Sequence, residues 1–143
     1  MTDKPSILFL CTGNSCRSQM AEGLTRHLKS DALTAYSAGI KAQGLNPNAV
    51  KVMREIGIDI TNQTSNTVDE LPTQDIDYVI TVCGHAHETC PTFPANAKII
   101  HVGFDDPPKL AEAETDPDKK LDHFRRVRDE IKSFVQSLPE ALA

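Results

Sequence analysis

The chain has 143 residues, 39% hydrophobic and 24% charged, with a formal net charge of −5 at pH 7. That length suits one domain over 1–143 with a buried core, and the mixture excludes disordered, collagen-like and membrane-spanning compositions. The acidic balance, with Lys and Arg scattered, excludes a nucleic-acid-binding surface.

The N-terminal Met1-Thr2-Asp3-Lys4-Pro5 leads into an apolar run over 7–10 that is too short for an export signal or a membrane span. A cytoplasmic protein is expected. The continuous run over 7–11 predicts a strand buried on both faces, and Met20, Ala21, Leu24 and Leu28 then follow helical spacing. A second strand is expected over 33–38, ended by Gly39. Asn46-Pro47 reads as a helix start, with Asn46 capping and Pro47 in the first helical position. That helix carries Val50, Met53 and Ile56 and stops at Gly57. Thr67 and Glu70 have capping-box spacing for a short helix.

Residues 78–82 are the most β-like run in the chain, and Cys83 lies at its exit. A fourth strand is expected over 98–102, then a polar, Pro-rich loop over 103–118. Phe124, Val127, Ile131, Phe134, Val135 and Leu138 form a helical stripe, on which Arg125, Arg126 and Arg128 read as the solvated face. The alternation predicts a four-stranded parallel sheet with helices on both faces, and ligands at the carboxyl ends of its strands. Cys11, Cys83 and the loop after Val102 all fall at such ends.

Cys11-Thr12-Gly13-Asn14-Ser15-Cys16-Arg17-Ser18 joins the first strand to the first helix. Several backbone N–H groups of such a loop can converge beside the positive end of the helix, a site suited to a tetrahedral oxyanion. Cys11 lies inside that ring, where the same field favours the thiolate, the form that attacks. Ser18 can donate a further hydrogen bond to the sulfur. The planar guanidinium of Arg17 can hold two oxygens of phosphate or arsenate and neutralise charge developing in the transition state. Taken singly, these residues also read as a buried strand-end thiol, a helix cap and a surface charge. Their joint spacing at a strand-to-helix turn favours the functional reading.

Cys-x5-Arg-Ser at this place resembles the signature of the low-molecular-weight tyrosine phosphatase fold. The whole chain is similar, within that group, to the thioredoxin-coupled arsenate reductases. The resemblance runs through 7–20, Tyr36-Ser37-Ala38-Gly39-Ile40, Asn46-Pro47, Cys83 with Cys90-Pro91, Gly103-Phe104-Asp105-Asp106-Pro107, and 124–132. It implies attack of Cys11 on arsenate, then of Cys83 on Cys11, releasing arsenite and leaving a Cys11–Cys83 disulfide. Cys90 then attacks Cys83, and thioredoxin regenerates the thiols. The role implied is arsenic detoxification.

If 83–90 were helical, its two sulfur-bearing residues would have Cα atoms roughly 10 Å apart. A disulfide tolerates about 4.4–6.8 Å, so the segment would have to unwind, exposing the bond to an external dithiol. Cys83-x-His85-x-His87-x2-Cys90 also offers zinc a ligand set, although the spacing is not a familiar finger pattern. Otherwise His85 and His87 are exposed loop residues. Cys16, which phosphatases of this fold also carry, reads as a packing or protective thiol.

Asp106 before Pro107 matches the general acid that protonates the leaving oxygen, although Asp105-Asp106-Pro107-Pro108 also reads as an acidic turn. Phosphatases of this fold usually carry an aromatic residue after this Asp-Pro, whereas Pro108 and Lys109 follow here. A small inorganic oxyanion is therefore favoured over phosphotyrosine, with weak phosphatase activity as a side reaction. Some members bind potassium beside the loop, and Asn14, Glu22 and Ser37 match the ligands, with Asn66 where those members have Asp. The lost charge weakens that site, and bracing of the loop by hydrogen bonds is the competing reading. A monomer is expected. The alternative activities are a tyrosine phosphatase, which needs neither Cys83 nor Cys90, and a non-catalytic redox or zinc module.

Overall fold

The computed structural model describes residues 4–72, 76–82, 97–138 and 140–142. Strands β1 (Ser6–Cys11), β2 (Thr34–Gly39), β3 (Tyr78–Thr81) and β4 (Lys98–His101) form one parallel sheet in the order β2-β1-β3-β4. β1 is buried along its whole length, which explains its lack of polar alternation. Its two neighbours are reached in opposite directions along the sheet, so the carboxyl end of β1 is the switch in strand order where such sheets open a crevice. Cys11 is the last residue of β1 and pairs with Gly39 at the end of β2.

Helix α1 (Arg17–Leu28) follows β1 and buries Met20, Ala21 and Leu24. It packs on β1, β2 and the last long helix. Helix α2 (Pro47–Glu55) starts as the sequence predicts, with Asn46 Oδ1 accepting from the N–H of Asn48 at 2.8 Å and of Ala49 at 3.3 Å. The capping box of Thr67 and Glu70 forms over a single 3₁₀ turn (Val68–Glu70). Strand ends differ from expectation by a residue: β2 reaches Gly39, and β3 and β4 stop at Thr81 and His101.

Two expectations are corrected. The stretch 103–118 holds a short helix, α3 (Pro107–Ala111), which buries Pro107 and Ala111. Its two leading prolines occupy positions whose N–H groups no helix would use, so a Pro-rich stretch starts a helix here. The second correction concerns α4 (Pro117–Gln136), whose stripe of Phe124, Val127, Ile131 and Val135 is buried as predicted. Its Arg128 is no solvated residue but is 8% exposed. Nη1 donates to the Val52 carbonyl at 2.8 Å and to Glu55 Oε1 at 2.9 Å, satisfying a last-turn carbonyl of α2. Arg125 holds the same Glu55 through Nε and Nη2, so two arginines fasten α4 to α2. No helix among the described residues is long and apolar enough to cross a membrane.

Candidate active site

The turn between Cys11 and Arg17 is shaped from outside. Ile40 N–H donates to the Cys11 carbonyl at 3.2 Å, Lys41 N–H to Thr12 at 3.0 Å, Gln43 N–H to Gly13 at 2.9 Å and Asn46 N–H to Ser15 at 2.9 Å. Ser65 Oγ and Gln19 Nε2 donate to the Asn14 carbonyl at 2.8 and 2.9 Å, and Met20 N–H to Cys16 at 2.9 Å. Every carbonyl from Cys11 to Cys16 is thus drawn outward. In a planar trans peptide the N–H points opposite to the C=O, so the following N–H groups, from Thr12 to Arg17, face the concave side. That is the geometry of an oxyanion cradle, and the start of α1 adds its positive end.

Asn14 makes the bend possible. Its φ is 48°, in the left-handed region that asparagine tolerates better than most side chains. Its Nδ2 donates to Ser18 Oγ and Ser37 Oγ, each at 2.9 Å, and its Oδ1 accepts from Asn66 N–H at 2.7 Å. The end of β2 approaches so closely that a Cβ on Gly39 would stand 2.7 Å from the Asn14 nitrogen, hence a residue without a side chain.

The loop opens into a cavity of about 450 Å³ whose walls include Cys11, Cys16, Arg17, Gln43, Asp106 and Pro108. Arg17 is largely buried, donates Nη1–H to the Phe104 carbonyl at 3.0 Å, and brings Nη2 to 3.7 Å from Asp106 Oδ2. Asp106 is the residue before α3 but makes no capping bond to it, so its carboxylate is not committed to the helix. Neighbouring Asp105 pairs with Arg126 of α4 at 3.0 Å. Cys11 and Cys16 are both buried. Burial pushes the Cys16 thiol up to about 12, Arg17 opposing and Asp106 adding to the shift, so Cys16 stays protonated and fits the packing role.

The potassium set comes together in part. Asn14, Ser37 and Glu22 are neighbours, but they bond one another: Ser37 Oγ donates to Glu22 Oε1 at 2.5 Å, and Arg26 Nε pairs with Glu22 Oε2 at 2.8 Å. Asn14 Oδ1 is taken by Asn66 N–H, and the Asn66 side chain turns to Thr64. With Arg26 already placing a positive charge on Glu22, these residues do not fit a cation cradle; they brace the loop. Burial raises the Glu22 carboxyl above its ordinary value, against the bonds from Ser37 and Arg26.

Cys83 and Cys90, with His85 and His87 of the zinc alternative, lie outside the described residues. Among the described residues no group of three or more His, Cys, Asp or Glu side chains is placed to hold a metal. Sequence reasoning missed Gln19, Gln63 and Ser65. Gln63 Nε2 donates to the Gln19 carbonyl and Oε1, and Gln19 Nε2 donates to Asn14 and Thr64, so the back of the loop is buttressed by residues distant in the chain. No local pattern signals such contacts.

Comparison with known proteins gives one consistent answer. The family described as low molecular weight phosphotyrosine protein phosphatase matches residues 6–143. A protein of Halalkalibacterium halodurans named arsenate reductase is 54% identical over 138 residues, 96% of this chain and 97% of that relative. A solved arsenate reductase in its oxidized state is 30% identical, with a TM-score of 0.78, covering 96% of this chain and 98% of that one. Another, in its reduced state, is 31% identical, with a TM-score of 0.72, covering 97% and 99%. The chain belongs to the low molecular weight phosphotyrosine protein phosphatase family, among its arsenate reductases.

Proposed function

We propose that the protein reduces arsenate to arsenite with three of its own thiols and is regenerated by thioredoxin, in the cytoplasm, as a single-domain monomer serving arsenic detoxification. The observation that carries this reading is the outward turn of every carbonyl from Cys11 to Cys16, which leaves an N–H cradle with Cys11 at its start and Arg17 at its end. Relatives solved in reduced and oxidized states support chemistry in which the protein itself supplies electrons.

In the first step Cys11 sulfur attacks arsenic while Thr12, Gly13, Asn14, Ser15 and Cys16 amides, with Arg17, hold the oxygens. An As–S bond forms as an As–OH bond breaks, and the hydroxyl leaves as water after taking a second proton from Asp106. Ser18 Oγ already accepts a bond from Asn14 Nδ2, so its own proton is available to stabilise the Cys11 thiolate. Cys83 thiolate then attacks Cys11 sulfur. The As–S electron pair passes to arsenic, As(V) becomes As(III), and two thiols become the Cys11–Cys83 disulfide. Attack of Cys90 on Cys83 frees Cys11 and leaves Cys83–Cys90, which the thioredoxin dithiol reduces. No potassium is required.

The same loop and acid can hydrolyse a phosphoaryl ester, and the family favours that as the second reading. Here water would replace Cys83, and no thiol would be consumed. Anaerobic single turnover separates the two. Reduced protein given arsenate alone should yield about one arsenite per chain and lose two free thiols, with peptide mapping joining Cys83 to Cys90. Ester hydrolysis at undiminished rate in Cys83→Ser, with no arsenite from the wild type, would establish the phosphatase instead.

A further inference from the structure

The segment after β2 runs beside the oxyanion loop, held by the bonds from Ile40, Lys41, Gln43 and Asn46 to the loop carbonyls. This sets the Gln43 backbone next to Gly13. Because Gly13 has no Cβ, the Gln43 side chain lies down across it: a Cβ there would stand 2.7 Å from Gln43 Cδ and 3.1 Å from its Cγ. The carboxamide of Gln43, an exposed residue, therefore lies at the wall of the cavity that Cys11, Arg17 and Asp106 also line. It has no hydrogen-bond partner among the described residues.

In-line attack by Cys11 directs the departing oxygen out of the cradle, toward the mouth. On an inorganic oxyanion that oxygen is bare or carries a proton; on an ester it carries an organic group. A neutral carboxamide both donates and accepts, so it matches either protonation state of the unsubstituted oxygen. We propose that Gln43 is a specificity-determining residue: its carboxamide hydrogen-bonds the outward oxygen of a bound tetrahedral inorganic oxyanion and occupies the room an ester's organic group needs. This rests on the reading of the loop as an oxyanion site and names the class of oxyanion it selects.

The test uses protection of Cys11 from iodoacetamide by arsenate, which needs no turnover, alongside hydrolysis of p-nitrophenyl phosphate. Gln43→Met keeps the bulk and loses the hydrogen bonds; it should weaken arsenate protection roughly fivefold to tenfold and leave ester hydrolysis as slow as in the wild type. Gln43→Ala should weaken arsenate protection equally and raise kcat/KM for the ester. Unchanged protection in both variants, or equal loss for oxyanion and ester, would overturn the assignment of Gln43 alone. Failure of any oxyanion to protect Cys11 in the wild type would overturn the site reading, and this proposal with it.

Discussion

Arg17 Nη2 stands 3.7 Å from Asp106 Oδ2, which joins the end of the loop from Cys11 to Arg17 to the loop after β4. The second nitrogen of the same guanidinium, Nη1, holds the Phe104 carbonyl two residues earlier. One side chain thus fastens Phe104 while reaching Asp106, and it lines the cavity together with Asp106.

A lysine cannot reproduce that fork. Arg17→Lys keeps the charge but loses the geometry that binds oxygens pairwise and the bond to Phe104. Removal of one developing-charge donor lowers rates about 10²–10³-fold, and a loss of that order in kcat/KM for arsenate is expected in steady-state assays. A loss below fivefold would show that the guanidinium is not part of the transition-state clamp.

Asn14 should matter to stability as much as to chemistry. Asn14→Ala removes three hydrogen bonds, two of them buried, and places alanine at a φ of 48°, with an expected destabilisation of about 2–4 kcal/mol in urea unfolding. Asn14→Gly loses the same bonds without the backbone strain and should be the milder variant by about 0.5–1 kcal/mol. Equal midpoints for the two would mean that the left-handed backbone contributes nothing.

The buried Glu22 makes a pH-dependent contribution with an unusual sign for a carboxylate. Its folded-state value is raised above 4.5 by burial, so the folded protein holds this proton more tightly than the unfolded chain. The contribution is fully present below 4.5 and is lost as pH rises through the folded value. Glu22→Gln removes that slope, while the charge of Arg26 stays constant. The melting temperature of the wild type minus that of Glu22→Gln should therefore fall as pH rises from the ordinary carboxylate range toward neutrality. A difference that rises over this range would contradict the buried, proton-favouring environment.

What the sequence disclosed and what it hid divide along contact distance. The buried strand β1, the strand-to-helix loop from Cys11 to Arg17, and the Asn46 cap are encoded within a few residues and were legible as patterns. The burial of Arg128 depends on Glu55 and the Val52 carbonyl of another helix, so a charged helix face gave the wrong impression. Helix α3 was hidden because prolines read as breakers unless the first helical turn is known to begin there. The bracing contacts of Glu22 and Asn14 were hidden for a similar reason: Arg26 meets Glu22 one helical turn on, and Asn66 N–H meets Asn14 from across the fold. Gln43 carries no motif, and only the closeness of Gly13 makes it prominent.

The relay itself is tested most directly by arsenate-dependent NADPH oxidation in the presence of thioredoxin and thioredoxin reductase, comparing wild type with Cys90→Ser over several turnovers. Sustained oxidation by the wild type, with Cys90→Ser stalling in cycling, is the predicted result. No arsenate-dependent oxidation by the wild type, or cycling by Cys90→Ser at the wild-type rate, would contradict reduction through Cys11, Cys83 and Cys90.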